Sequence, residues 1–504
     1  MNAIVRSTPA AMRYRIKGTE IYLEPLKPSI DGSYQTTGSG PRSRRLRAAR
    51  FGPNAALDYT ADGLRDQSRD LSRKNALAGS AIERLVSNVV GTGIRPQLSD
   101  PDTAALWLAW TDESDPGGAL DFYGQQAQAF RGVVESGECF VRLRTRLPQD
   151  GLNVPLQLQI VESEYVPMDL NRVVEGGNFI RQGIEFDGIV RDRRVAYWML
   201  KQHPNDLTPG TITNQPVRVP AEEVLHIYWP GRPGQIRGEP WLSRVLDRLY
   251  DVEAYDKAEL VRKKVSALFV GFRRRNLPEG VSPEDLKEIW GDDAEMDGAT
   301  AQVSLEPGTM QELEPGEEVE FSDPKDVGGQ YEVFMRAQHR AIAAALGLLY
   351  EQLTGDYSQV NDRTWRAAVT EFRRRCEMWQ HHLMVFQFCR PVLARWAYLA
   401  QLADKPIVAP LPAKWTPQAW PYINPVQDIQ ASRDAVRAGF TSRSAVVSER
   451  GEDAATIDAE NKADNNRADE AGLSYESDGR KGAKAAKGPA TPAGSKKTEE
   501  DDET

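Results

Sequence analysis

The stretch GRPGQIRG (231–238) lies between a strand pattern and a helix pattern, where a glycine-rich turn can cradle phosphate on backbone N–H groups. A nucleotide-binding loop ends in Gly-Lys-Ser or Gly-Lys-Thr, because the lysine holds the terminal phosphates and the hydroxyl holds magnesium. Here Gly238 is followed by Glu239, Pro240 and Trp241, so ATP finds no grip and a motor enzyme is not expected. A second glycine cluster, GTGIRP (91–96), lacks a third glycine and follows a helix pattern, so it reads as the turn that ends that helix. His203, His226, His339, His381 and His382 form no HExxH or HxH spacing, and His381 and His382 would project about 100° apart on a helix. The acidic run Asp292, Asp293, Glu295 and Asp297 has oxygen ligands for a divalent ion, but reads as a solvated loop. There is no GxSxG elbow and no Cys–His arrangement that can be placed. No catalytic residue, metal or cofactor is expected.

One polar segment carries mechanical meaning instead. Gly355, Asp356, Tyr357, Ser358, Gln359, Val360, Asn361 and Asp362 join two long helical patterns and are too polar to bury. If both helices line a ring, this loop projects into the lumen with its two aspartates. Otherwise it is a plain surface connection.

The elements around these residues follow from periodicity. Asp62 to Val90 reads as helical, with Ile82, Leu85, Val86 and Val89 on one stripe and Asn75 placed to cap its second half. Helices follow at about 101–114 and 121–136. Over 138–229 the period becomes two, in ECFVRLRTRL, LQLQIVE, FIRQGIEFD, RVAYWML and VLHIYW, which predicts a mostly antiparallel sheet and an α+β domain. Pro240 opens a helix expected to run to about Leu268, and another is expected from about Tyr331 to Leu349. Between them, 269–326 is irregular, acidic and punctuated by Gly and Pro, like an inserted module. The strongest seam is Trp365, Val369, Phe372, Cys376, Trp379, Leu383, Phe386, Arg390, Leu393, Ala397 and Ala400, with a kink expected at Pro391. A Pro-rich link at 405–426 precedes a last helical segment at about 427–470. The composition of 472–504 cannot bury a core and predicts a disordered tail. The first 61 residues read as a mobile arm whose arginines either touch nucleic acid or belong to an ordinary terminus.

With 504 residues the chain can fill two to four domains. No run of about 18 apolar residues exists to span a bilayer, and the first residues lack the apolar core of a secretory signal. Cys139, Cys376 and Cys389 are odd in number and form no CxxC pair, so free thiols in a reducing cytoplasm are expected, without zinc. A net charge of −10 argues against gripping nucleic acid over the whole surface. It suits a wall along which a duplex must slide, since strong phosphate contacts would impede sliding.

Several of these stretches, in this order, resemble the lambda-type portal family of tailed phages. They are 69–97; 219–246, with the core Arg232, Pro233, Gly234, Gln235, Arg237 and Gly238; 313–319; 341–368; and 423–453. The resemblance implies a dodecameric ring at one capsid vertex that conducts double-stranded DNA without reading its sequence, nucleates procapsid assembly and catalyses nothing. It implies a wing at 62–238 and stem helices at 239–268 and 327–354 around a clip at 269–326. A tunnel loop at 355–362, a long kinked helix at 363–404 and a helical crown at 405–471 would follow. The implied partners are further copies of itself, the terminase large subunit, head-completion or connector proteins, and the major capsid and scaffolding proteins. Arg273, Arg274 and Arg275, at the stem–clip junction, are candidates for contacts to the motor or to DNA. The implied location is the virion, after assembly in the host cytoplasm. Rival readings are a capsid or head-completion protein, and a packaging nuclease or ATPase.

Overall fold

Asn75 divides what the apolar spacing reads as one helix. In the computed structural model its side chain accepts from the N–H groups of Leu77 and Ala78, so helix Pro53–Lys74 ends and helix Ala76–Val89 begins there. The structure describes residues 52–174, 176–206, 214–267, 330–407, 409–473 and 475, and the backbone of four strands outside those ranges, at 12–16, 19–23, 271–275 and 317–321. Nearly all of the expected disordered tail and most of the expected clip lie outside the described residues, as do the acidic residues 292–297.

The strands are β1 (Met12–Ile16), β2 (Thr19–Leu23), β3 (Arg95–Gln97), β4 (Glu138–Thr145), β5 (Leu156–Val161), β6 (Arg172–Val173), β7 (Phe179–Arg181), β8 (Ile184–Phe186), β9 (Arg194–Met199), β10 (Val217–Pro220), β11 (Val224–Tyr228), β12 (Gly271–Arg275), β13 (Glu317–Phe321) and β14 (Lys414–Thr416). All pairings among the described strands are antiparallel. The region read as one sheet forms two, ordered β11-β4-β5 and β10-β9-β8-β7-β6. Strand β4 separates two cores: Cys139, Val141 and Leu143 face the helices, while Phe140 joins the cluster under the five-stranded sheet. The fold is α+β.

The helical core joins segments far apart in sequence. Trp107 lies 4.9 Å from Trp110 and 5.1 Å edge-on to Trp396, and Phe122 stacks on Phe388 at 5.6 Å between ring centres. The helical segment 380–402, which carries Phe388 and Trp396, is thereby fixed to the helices Pro101–Glu113 and Phe122–Ser136.

Five expectations need correction. Helix begins at Pro53, so the last residues of the supposed arm are helical, and Leu57 and Ala61 pack on Met168. Pro240 opens only the 3-10 turn Trp241–Arg244, and the long helix starts at Leu246 and runs to Ala267. The helix from Gln330 stops at Leu346, because Gly347 takes φ 76°, and Tyr350–Thr354 forms a separate turn. The long seam is interrupted by a π-helix, Gln380–Cys389, just before Pro391; there the Arg390 N–H donates to the Val385 carbonyl, five residues back. This wider winding shifts the apolar register, so Met384 and Val385 are buried while the seam residue Phe386 is 63% exposed. The last segment is three helices, Pro425–Arg437, Arg443–Glu449 and Ala454–Glu470, separated by Gly439 and Gly451 at positive φ.

Candidate functional site

The loop read as mechanical is built from its first aspartate outward. Gly355, at φ 73°, ends the turn Tyr350–Thr354. The Asp356 carboxylate accepts from the Ser358 N–H at 3.1 Å, the Ser358 hydroxyl at 2.6 Å and the Tyr350 hydroxyl at 3.0 Å. The Ser358 and Tyr350 hydrogen bonds hold the Asp356 carboxyl below the ordinary carboxylate range, helped by Arg336 at 4.0 Å. Asp356 therefore shapes the turn. Asp362 is 73% exposed, sits in the first turn of helix Asp362–Trp379, and pairs with Arg366 at 3.1 Å. Asn361 caps that helix through the Arg363 N–H, and the exposed Tyr357 rests edge-on against Trp365. The loop is a largely exposed, acid-bearing connection in which the Ser358 and Tyr350 hydroxyls are spent on holding Asp356.

The signature after β11 has an interior role. The Gln235 side-chain oxygen accepts from the Gly231 and Arg232 N–H groups, and its amide donates to the Arg237 carbonyl. Asn54 donates to the Gly234 carbonyl and accepts from the Ile236 N–H, tying the loop to the first long helix. Arg237 is fully buried. Its Nε lies 2.8 and 3.0 Å from the two Glu138 oxygens, and its remaining nitrogens donate to the carbonyls of Val166, Gln182 and Ser163.

Glu138 sits at the centre of this knot. It also receives Arg65 at 2.6 Å, the Gly238 N–H at 2.9 Å and His226 Nε2 at 2.8 Å. Burial alone would raise its pKa, but Arg237, Arg65 and His226 outweigh that and hold it well below the usual range. Burial pushes His226 down to about 3, so the ring is neutral and donates from Nε2, while Nδ1 faces the Arg194 guanidinium at 3.3 Å. The imidazole lies between the rings of Phe140 and Tyr228, at 4.3 and 4.4 Å. Two guanidiniums, one carboxylate and a neutral imidazole thus fix the joint between helix, loop and both sheets. This arrangement is sealed from solvent and offers no substrate access.

Sequence reading missed Glu138 and Arg65. The available signal was Glu138 at the head of an alternating strand, in phase with buried Phe140. The backbone of Arg273, Arg274 and Arg275 falls on β12, in register with Val319, Glu318 and Glu317 of β13. The three cysteine thiols are buried, and burial raises the Cys376 pKa to about 12. His381 and His382 are exposed on the π-helix, with ring centres 5.0 Å apart. Among the described residues Glu162, Glu164 and His203 could group around an ion, but Arg69 already pairs with both carboxylates. No described helix is long and apolar enough to cross a membrane.

Comparison with known proteins gives a consistent set of likenesses. Residues 39–380 match the family described as phage portal protein, lambda family. The chain is 26% identical over 332 residues to the probable portal protein of Halomonas phage phiHAP-1, covering 64% of this chain and 61% of that protein. It is 23% identical over 340 residues to the portal protein of Escherichia phage N15, covering 60% and 62%. These alignments span about three fifths of the length of the relatives matched. Among solved structures, a chain from the neck of an empty gene transfer agent particle aligns with TM-score 0.44 and 15% identity, covering 81% of this chain and 97% of that one. A portal protein of the HK97 family from Corynebacterium diphtheriae aligns with TM-score 0.32 and 14% identity, covering 72% and 96%.

Proposed function

This chain belongs to the lambda family of phage portal proteins, and from that membership we propose that it is the ring subunit through which double-stranded DNA enters and leaves a capsid. The family match over residues 39–380 carries the reading. Copies close head to tail into a dodecameric ring at one capsid vertex, where the ring nucleates procapsid assembly. Residues 62–238 form the wing, 239–268 and 327–354 the stem, 269–326 the clip, 355–362 the tunnel loop, 363–404 the long helix and 405–471 the crown. Exposed apolar side chains on the two stem helices, among them Leu260, Val261, Val333 and Phe334, support contacts between neighbouring copies.

Function in this reading is mechanical. The exposed acid at Asp362 faces the duplex, and repulsion keeps the backbone from settling on the wall. The energy for translocation comes from a separate terminase, whose large subunit docks at the clip near Arg273, Arg274 and Arg275. Head-completion proteins bind after packaging, and capsid and scaffolding proteins surround the wing. The subunit works in the virion after assembly in the host cytoplasm, and it catalyses nothing.

Electron microscopy of the purified protein tests this directly. Isolated rings with a central hole are expected, together with no magnesium-dependent ATP hydrolysis or DNA cleavage. A protein that stays monomeric and is missing from the tail-bearing vertex of virions overturns the reading.

A further inference from the structure

A recess between the two wing sheets carries a concentration of positive charge that the portal reading does not use. Its cavity is about 320 Å³, and its lining includes Arg142 and Arg144 from β4, Lys201 beyond the end of β9, and Arg218 from β10. Glu223 is the single carboxylate in that lining. Arg218 is engaged by Glu185 at 2.8 Å, and Arg144 is held by the neutral Gln159 amide at 2.9 and 2.6 Å. The Arg142 Nε is buried and has no hydrogen-bond partner. Burial, and then repulsion from Arg144, lowers the Arg142 pKa. A guanidinium in this condition gains from a carboxylate or phosphate oxygen that enters the recess.

We propose that this recess is a docking site for an extended acidic peptide segment of a partner protein, with alternate carboxylate side chains seated on Arg142 and Arg144. The two arginines lie two residues apart on one face of a strand, a spacing of about 6.8 Å. Carboxylates at alternate positions of an extended peptide repeat at the same distance, and each guanidinium fork matches a carboxylate in two-point geometry. Strand β10 lines the recess and ends its sheet among the described strands, so an extended segment can also run along its edge. Phosphates of a duplex fit less well, because a recess of this volume admits a side chain or single extended backbone and not a double helix.

The test uses the full-length protein and a fluorescein-labelled peptide Gly-Glu-Val-Glu-Val-Glu-Gly, followed by fluorescence polarisation. Saturable binding is expected, with affinity falling as salt rises. The same peptide with Gln for Glu should bind at least about tenfold more weakly. Arg142→Gln with Arg144→Gln should weaken the acidic peptide by a similar factor at unchanged thermal midpoint. Lys201→Glu, a change on an exposed side chain, gives the same direction of effect if the double variant misfolds. Equal binding of the two peptides overturns the proposal, as does undiminished affinity in folded variants. So does displacement by inorganic phosphate at concentrations as low as those of unlabelled peptide, or a labelled DNA duplex that binds at these arginines in preference to the peptide. The outcome is independent of ring formation, so failure here and failure of the portal reading are separately visible.

Discussion

Arg65 and Glu138 stand 73 residues apart in sequence and meet at 2.6 Å, with both side chains fully shielded from solvent. Glu138 is shared with Arg237, whose Nη2 also lies 2.6 Å from it. One carboxylate therefore compensates two buried cations.

Removing that carboxylate should be far more damaging than removing a surface acid. Glu138→Gln leaves Arg237 without its carboxylate partner and Arg65 with only the exposed Asp62 at 3.3 Å, and an uncompensated buried charge costs about 3–5 kcal/mol. The urea midpoint should fall accordingly. Asp62→Asn, at an acid 77% exposed that touches the same Arg65, should cost less than about 1 kcal/mol. Equal effects of the two changes would contradict the assignment.

Acid should weaken the fold in two stages. Below about pH 6.5 the unfolded chain takes up a proton on His226 that the folded chain refuses until about pH 3. Stability therefore falls with falling pH, by up to about 1.4 kcal/mol per pH unit from this group. Glu138, whose folded pKa is depressed, contributes stability that is present above its unfolded pKa, about 4.5, and lost as pH falls further. The two effects share a sign. Urea midpoints between pH 7.5 and 5 should show a shallower slope for His226→Gln than for wild type. An identical slope would rule out the histidine as its source.

Two glycines of the signature should respond differently to alanine. A Cβ on Gly238 would meet the Gly137 carbonyl oxygen at 2.0 Å, against backbone that cannot yield. Gly234 has open space around a Cβ and only its φ of 78° to resist. Gly234→Ala should cost about 1–2 kcal/mol, whereas Gly238→Ala should yield little soluble folded protein. Similar yields and thermal midpoints for both would count against this close approach.

The two loop aspartates should separate in a packaging assay. Asp362→Lys leaves the turn intact and places a cation on the proposed lumenal surface, so rings should form while DNA per procapsid drops. Asp356→Ala removes the acceptor for Ser358 and Tyr350, and should make the loop more sensitive to limited proteolysis. Unchanged packaging by Asp362→Lys would remove the loop from the DNA path.

Much of this architecture was legible locally. The α+β class followed from the change of period near residue 138, because side-chain alternation is set by backbone geometry within each segment. The break at Asn75 was legible for a similar reason, as was the exposed turn at 355–362, since capping residues and runs of polar side chains act over a few positions. The π-helix before Pro391 was not legible, because hydrogen bonding around a proline can relax in more than one way and packing selects the outcome. The same limit hid Glu138. Its carboxylate looked like one more charge on a strand until folding brought Arg65, Arg237 and His226 around it from three distant segments. Periodicity determines which face of an element seeks the interior; only the assembled tertiary structure decides which charges meet there, because the energy of a buried ion depends on partners that sequence distance does not encode.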